Sequence, residues 1–361
     1  MNEYITDYVE RIGEYSFDEQ PFNEVDALVL AQFAYFKWEN VIPTLIDNAE
    51  SLTLLQMRDK MIDAEVFIDE RWAADNIRIW NAMVSSKRYS DMKCNYFAEE
   101  TNVSLETQFC AFTVFPNDTD PIVCFRGTDE TIVGWKEDFN MAFAKPVPGQ
   151  RMAALYLKQI ALRISGDFMV CGHSKGGNLG VYAAVTAEDA LRERIQAVYS
   201  FDGPGFRAEI LSESNYALME KKIHKFIPQS SIVGMLLENH ENYTVVKSAT
   251  VGGALQHNPY TWVVCGNEFA KRGGVMPSTK YMNVYLNQWV SALTQDQLRV
   301  FVDTLFDVIN ASGAETVTEM SEDMVHSVRK MLKAAKNIDD ETLNILKLIF
   351  KEFLSNLKKL E

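Results

Sequence analysis

The stretch Phe168-Met169-Val170-Cys171-Gly172-His173-Ser174-Lys175-Gly176-Gly177-Asn178 decides the fold. An apolar run ends in Gly-x-Ser-x-Gly, and a helix-forming run from Leu179 to Ala187 follows at once. Strand, sharp turn and helix in that order make a nucleophile elbow. The turn is strained, so glycine is needed where a Cβ would clash. Such a bend lifts Ser174 out of the sheet edge. It also puts the Lys175 N–H at a helix N-terminus, where unpaired donors and the dipole favour an oxyanion. A bare Gly-x-Ser-x-Gly also marks ordinary turns; the apolar run before it and the long amphipathic continuation favour the elbow.

The 361 residues are 47% hydrophobic and 24% charged, an ordinary globular composition with room for one large α/β core and an accessory piece. Fifty acidic against 35 basic side chains give a net charge of −15. That argues against nucleic acid or an anionic membrane as the main partner, while an apolar pocket under an acidic surface still suits a neutral lipid or ester. The five cysteines (Cys94, Cys110, Cys124, Cys171, Cys265) are odd in number and scattered, and most lie in apolar runs, as free buried thiols do. There is no Cys-x-x-Cys and no His/Asp/Glu cluster at ligand spacing, so neither a metal nor another cofactor is expected. The start of the chain lacks a basic, then apolar leader, and no window holds 18 uninterrupted apolar residues. The expectation is a cytoplasmic protein with no transmembrane segment.

Three regions follow from the patterning. Residues 1–90 read as a helical N-terminal segment packed on the core. Within it Val25 to Trp38 is apolar over most of its surface, with Asn23 as N-cap and its aromatics (Phe33, Tyr35, Phe36, Trp38) as core. Shorter helices are expected at Thr53–Met61 and Asn76–Ser85. Residues 91–279 read as an α/β core. Strands at Lys93–Glu99, Glu106–Phe115 and Ile122–Phe125 precede a helix over Arg151–Ile164 and the elbow. Further strands follow at Ile195–Phe201 and Lys222–Ile227. Alternating strand and helix predict a mostly parallel sheet with right-handed crossovers. Residues 280–361 carry helical signals only: Trp289–Ile309, then Leu343–Leu360 after an acidic cap at Asn337–Thr342. This appendage packs on the core, covers the site or offers a surface for homo-oligomerisation. Residues 234–256, with Gly234, Gly252, Gly253 and apolar Met235–Leu237, read either as a lid or as an ordered loop.

A serine nucleophile needs a base and a group that fixes the base's tautomer. Of five histidines, His173 sits inside the elbow beside the nucleophile, His224 lies within a strand, and His326 lies on a charged helix. His240 and His257 remain, in loops after the later strands, and His257 is preferred. It stands in a turn, Gln256-His257-Asn258-Pro259, before an apolar stretch, Tyr260–Val264, read as a strand. Asp202 ends the strand after the elbow helix, which puts its carboxylate on the same rim as Ser174; a turn-capping role next to Gly203-Pro204 is the alternative. Thr128 follows Phe125-Arg126-Gly127 and offers an N–H and a hydroxyl as second oxyanion donor, with the Lys175 N–H as the first. Arg126 reads as an ion-pair residue, and Asp129 and Asp138 as supports of this loop.

These residues resemble the class 3, fungal-type lipases. Phe125-Arg126-Gly127-Thr128 with Trp135 and Asp138-Phe139 is similar to that family's oxyanion stretch. Gly172-His173-Ser174-Lys175-Gly176-Gly177 is similar to its elbow, and His257 matches its late histidine. The resemblance covers roughly residues 92–270 and implies an α/β-hydrolase fold. One departure stands out: where class 3 lipases carry the acid as Asp-x-Val, this chain has Ser231-Ile232-Val233. Either Asp202, one strand earlier, supplies the acid, as in pancreatic-type lipases, or the triad is incomplete. The chain as a whole most resembles the bacterial Mbeg-like family of lipase-like proteins. The resemblance implies a serine hydrolase of carboxylic esters, with acylglycerol, lysophospholipid or thioester substrates. The alternative is a binding or regulatory module that keeps the fold without catalysis.

Overall fold

The computed structural model describes residues 2–47, 49–61, 72–117, 119–144, 146–207, 213–237 and 242–310. His240, His326 and the Leu343–Leu360 segment lie outside the described residues. The strands are β1 (Leu52–Thr53), β2 (Lys93–Asn102), β3 (Thr107–Phe115), β4 (Ile122–Phe125), β5 (Phe168–His173), β6 (Ile195–Phe201), β7 (Ile223–Pro228), β8 (Tyr243–Val246), β9 (Val264–Cys265), β10 (Glu268–Phe269) and β11 (Lys271–Arg272). All but the small β9–β10 hairpin join one sheet, in the order β1-β2-β3-β4-β5-β6-β7-β8-β11. From β4 to β8 the pairing is parallel, and the flanking pairs are antiparallel. A mostly parallel sheet flanked by helices, with an elbow on a central strand, is the α/β-hydrolase architecture.

The central strands are buried on both faces, as parallel strands covered by crossovers must be. Successive residues feed two separate cores: Ile122, Cys124, Met169 and Cys171 face one, and Val123, Phe125, Phe168 and Val170 face the other. The first core is covered by α1 (Ile5–Ile12), α2 (Glu24–Phe33), α3 (Leu54–Lys60) and α4 (Ala73–Val84). After α5 (Ile132–Asn140), the second is covered by α6 (Pro148–Ala161), α7 (Lys175–Val185), α8 (Asp189–Arg194) and α9 (Glu213–Met219). Cys94, Cys110, Cys124 and Cys171 are buried free thiols, and burial pushes that of Cys110 up to about 12. Cys265 is exposed.

Helix α2 starts where its cap predicts: the Asn23 side chain accepts from the Val25 and Asp26 N–H groups, and Asp26 accepts from the Asn23 N–H. It stops at Phe33, short of Trp38. The Trp38 indole N–H donates to the Phe33 carbonyl at 2.9 Å and so satisfies one of the helix's orphan acceptors. Asp26 is itself fully buried against Arg88 and Tyr89. Replacing Asp26 by alanine strands a buried guanidinium, and a urea melt is expected to show a loss of about 3–5 kcal/mol.

Three further readings need correction. The Trp289–Ile309 pattern is not one helix but the end of α11 (Pro277–Ala292) and α12 (Gln295–Asn310), which follow the short α10 (Gly253–Gln256). The break falls at Thr294, whose hydroxyl accepts from the Gln297 N–H while Gln297 accepts from the Thr294 N–H. Within residues 234–256, Tyr243–Val246 is not part of a free cover but β8, paired along β7, and swinging it away would break the sheet. Tyr260–Val264, read as a strand, begins instead with a 3-10 turn at Pro259–Thr261. No helix among the described residues is long and apolar enough to cross a membrane.

Candidate active site

The parallel strands deliver their C-terminal ends to one rim, and the predicted site residues sit there. Ser174 follows β5 as the residue before α7, with φ 57° and ψ −132°. A left-handed φ at a non-glycine residue is strained, and the surroundings hold it. The Ser174 N–H donates to the Phe201 carbonyl at 2.8 Å, tying the bend to β6. A Cβ at Gly176 would lie 2.2 Å from the Phe125 carbonyl oxygen, so only glycine lets α7 leave this close to β4.

The structure brings Ser174, His257 and Asp202 together. His257 Nε2 is 3.0 Å from Ser174 Oγ, and its Nδ1 is 2.6 Å from Asp202 Oδ2. A carboxylate only accepts, so Nδ1 carries the hydrogen and the Nε2 lone pair faces the serine hydroxyl. His257 follows α10. Its loop is pinned by Gln256, which accepts from the Ser230 N–H and donates to the Thr250 carbonyl. Asp202 follows β6, is fully buried, and has φ 49°. Its second oxygen accepts from the hydroxyl of Ser231, the residue at the position where class 3 lipases carry their acid. The carboxylate that meets His257 thus stands at the neighbouring strand end, and the Ser231 hydroxyl bonds to its other oxygen.

His173 is not aimed at Ser174 Oγ. Its Nε2 is 2.9 Å from the His257 carbonyl oxygen, and its ring lies over that of His257 with centroids 4.6 Å apart. Since a carbonyl only accepts, Nε2 is the donor, and in the neutral ring Nδ1 accepts from the Tyr35 hydroxyl at 3.0 Å. Composition and periodicity place Tyr35 only in a buried aromatic run; the one signal it carries is a hydroxyl that requires a partner. His224 is exposed with its ring stacked on Tyr199, and partial desolvation pushes its pKa down.

The loop after β4 lies against the elbow. A Cβ at Gly127 would sit 3.1 Å from Ser174 Cβ, 2.6 Å from the His173 carbonyl oxygen and 2.1 Å from the Tyr35 hydroxyl, so this position is open to glycine alone. Arg126 pairs with Glu99 and Asp129 at 2.7 and 3.2 Å. The Lys175 side chain is buried, and its Nζ donates to Glu137 and to both the backbone and side-chain oxygens of Gln108. This bond set ties α7 to α5 and leaves the Lys175 backbone N–H, at the helix start, without an intrahelical acceptor. The Thr128 hydroxyl is less free than its type suggests: it donates to Asp138 Oδ2 at 2.6 Å.

Burial pushes the Asp138 carboxyl up to about 6, and its other oxygen has no protein partner. The folded state therefore keeps this proton to higher pH than the unfolded chain. Stability is lost as pH rises from about 4 through about 6. Asp138→Asn removes that loss. In melts it is expected to exceed the parent protein by about 2–3 kcal/mol at pH 8 and to match it near pH 4.

A groove of about 1470 Å³ begins beside this loop, lined by Tyr35, Arg126, Phe97 and the 37–47 segment among others; Ser174 and His257 are not among its lining residues.

A family model described as Mbeg1-like matches residues 83–307. No curated protein matches the chain. Among solved structures, M37 lipase is 12% identical over 59% of this chain and 69% of that one, with a TM-score of 0.38. A triacylglycerol lipase whose catalytic centre is a serine protease triad is 14% identical over 63% and 79%, at 0.39. A lipase from Rhizopus microsporus var. chinensis is 13% identical over 68% and 87%, at 0.35. Likeness at that level says nothing of this chain's chemistry. The family match spans most of the chain and includes the elbow, the Thr128 loop and all three residues of the hydrogen-bonded set: the chain belongs to the Mbeg1-like family.

Proposed function

We propose that this protein is a serine hydrolase of carboxylic esters, of the lipase or esterase type. The observation that carries the reading is the pair of contacts on one imidazole, 3.0 Å to Ser174 Oγ and 2.6 Å to Asp202 Oδ2. Ser174 Oγ attacks the acyl carbon while its proton passes to His257 Nε2. Asp202 holds the tautomer and balances the imidazolium that forms. The backbone N–H groups of Lys175 and Thr128 receive the oxyanion, each contributing on the order of 3 kcal/mol to the barrier. Collapse of the tetrahedral species returns the proton to the departing alkoxide and leaves an acyl-Ser174. Water, deprotonated by His257, then releases the acid. The Thr128 hydroxyl, directed at Asp138, positions the loop in this scheme, and the N–H makes the contact.

Acylglycerols, lysophospholipids and thioesters all present the required acyl carbon. The test is turnover of p-nitrophenyl esters from acetate to palmitate, with acyl thioesters alongside. Hydrolysis of at least one acyl length is the expected result. Silence across the whole series would sink the reading and favour a binding module on the same fold.

A further inference from the structure

Ser231 does more than stand where an acid is absent. It is fully buried in the loop just after β7, and its hydroxyl has two partners of opposite kind. The Gly234 N–H donates to it at 3.0 Å, so its own hydrogen goes to Asp202 Oδ1. The loop that holds it is gripped from outside the α/β layers. Asn283 and Asn287 lie one turn apart on α11. The first donates to the Ser231 carbonyl at 3.2 Å. The second donates to the Met235 and Leu237 carbonyls and accepts from the Leu237 N–H at 2.9 Å. Leu237 has φ 62°, a strained value for a leucine, with Asn287 bonded to both of its peptide groups. The N–H of Met276, before α11, donates to the Gln229 carbonyl at 2.7 Å, and Ile232 and Leu236 pack into the apolar cluster of Leu286, Trp289 and Phe306.

We propose that Ser231 is a positioning residue for Asp202, and that helix α11 makes the C-terminal helices part of the site by fixing the Ser231 loop through Asn283 and Asn287. The proposal rests on the reading of Asp202 as the partner of the base. Its physical content is a donated hydrogen bond that stabilises the charged carboxylate. Without it, Asp202 holds a proton, or an imidazolium, more strongly. Whichever of the two groups takes the proton, loss of the donated bond favours its uptake. Among the described residues, the other groups facing the pair are the His173 ring, Ser174, Asp138 on α5 and, beyond it, the Lys175–Glu137 ion pair, and none is altered by the variants below.

The experiment follows the imidazole NMR titration of His257, assigned by its loss in His257→Gln. It needs no substrate. Ser231→Ala is expected to raise the midpoint by about half to one pH unit, and Asn287→Ala by a smaller amount in the same direction. In the kinetics, the acid limb of kcat/KM moves with it. A natively folded Ser231→Ala protein whose His257 titration is unmoved would overturn the proposal, since a merely structural serine lowers stability without shifting that midpoint. Should Ser231→Ala fail to fold, an unmoved titration in Asn287→Ala decides against it equally. A wild-type protein that hydrolyses no ester yet shows these shifts contradicts the hydrolase reading alone.

Discussion

Ser174→Ala is expected to lower kcat/KM for a p-nitrophenyl ester by roughly 100,000-fold. The alanine keeps the Cβ and therefore the strained backbone at φ 57°, so the elbow, the Phe201 tie and the approach of Gly176 to β4 all stay. Only the atom 3.0 Å from His257 Nε2 is removed. What remains is the pair of N–H groups at Lys175 and Thr128 and whatever water His257 can activate, which is worth a modest acceleration over solvent. Because the effect is chemical and not conformational, the thermal midpoint should stay close to the parent's. A variant that turned over ester at the parent rate would remove Ser174 from the mechanism.

Asp202→Asn should cost roughly 10,000-fold in kcat. The amide is nearly isosteric, and its oxygen can still accept from Ser231, so the buried site is kept full. Its NH₂, however, favours the His257 tautomer with hydrogen on Nε2, which points a donor at Ser174 and leaves no base. It also removes the charge that balances the imidazolium. KM should move by no more than about threefold, because Asp202 is fully buried beneath His257 and away from a bound ester. A fall confined to KM would mean that the carboxylate acts on binding, and that some other group orients His257.

Much of this site is legible in the sequence because its critical parts are local. A nucleophile elbow is one strand end, one bend and one helix start, all within Phe168–Asn178. Asp202 is found by a rule of parallel sheets, that consecutive strand ends share a rim. His257 emerges by excluding histidines in strands, in the elbow and on a charged helix, together with the class 3 resemblance. Partnerships between distant segments are not legible. Nothing in the apolar run through α2 and the turn after it announces that Tyr35 meets His173, 138 residues later. Thr128 looks like a free hydroxyl until α5 brings Asp138 to it. Ser231 reads as a missing acid until β6 and β7 are laid side by side. The apolar spacing of Trp289–Ile309 runs on across the Thr294–Gln297 capping box that divides it into two helices. β8 was hidden in a glycine-punctuated stretch because a four-residue strand carries too little pattern to stand out.

The most direct measurement is the intact mass of the native protein after a fluorophosphonate, followed by peptide mapping, since this probe needs only an activated serine and no knowledge of the acyl group. The account predicts one adduct, on the peptide containing Ser174, lost in Ser174→Ala and strongly slowed in His257→Gln. A protein that stays unmodified, or one modified at another serine with Ser174 untouched, would contradict it.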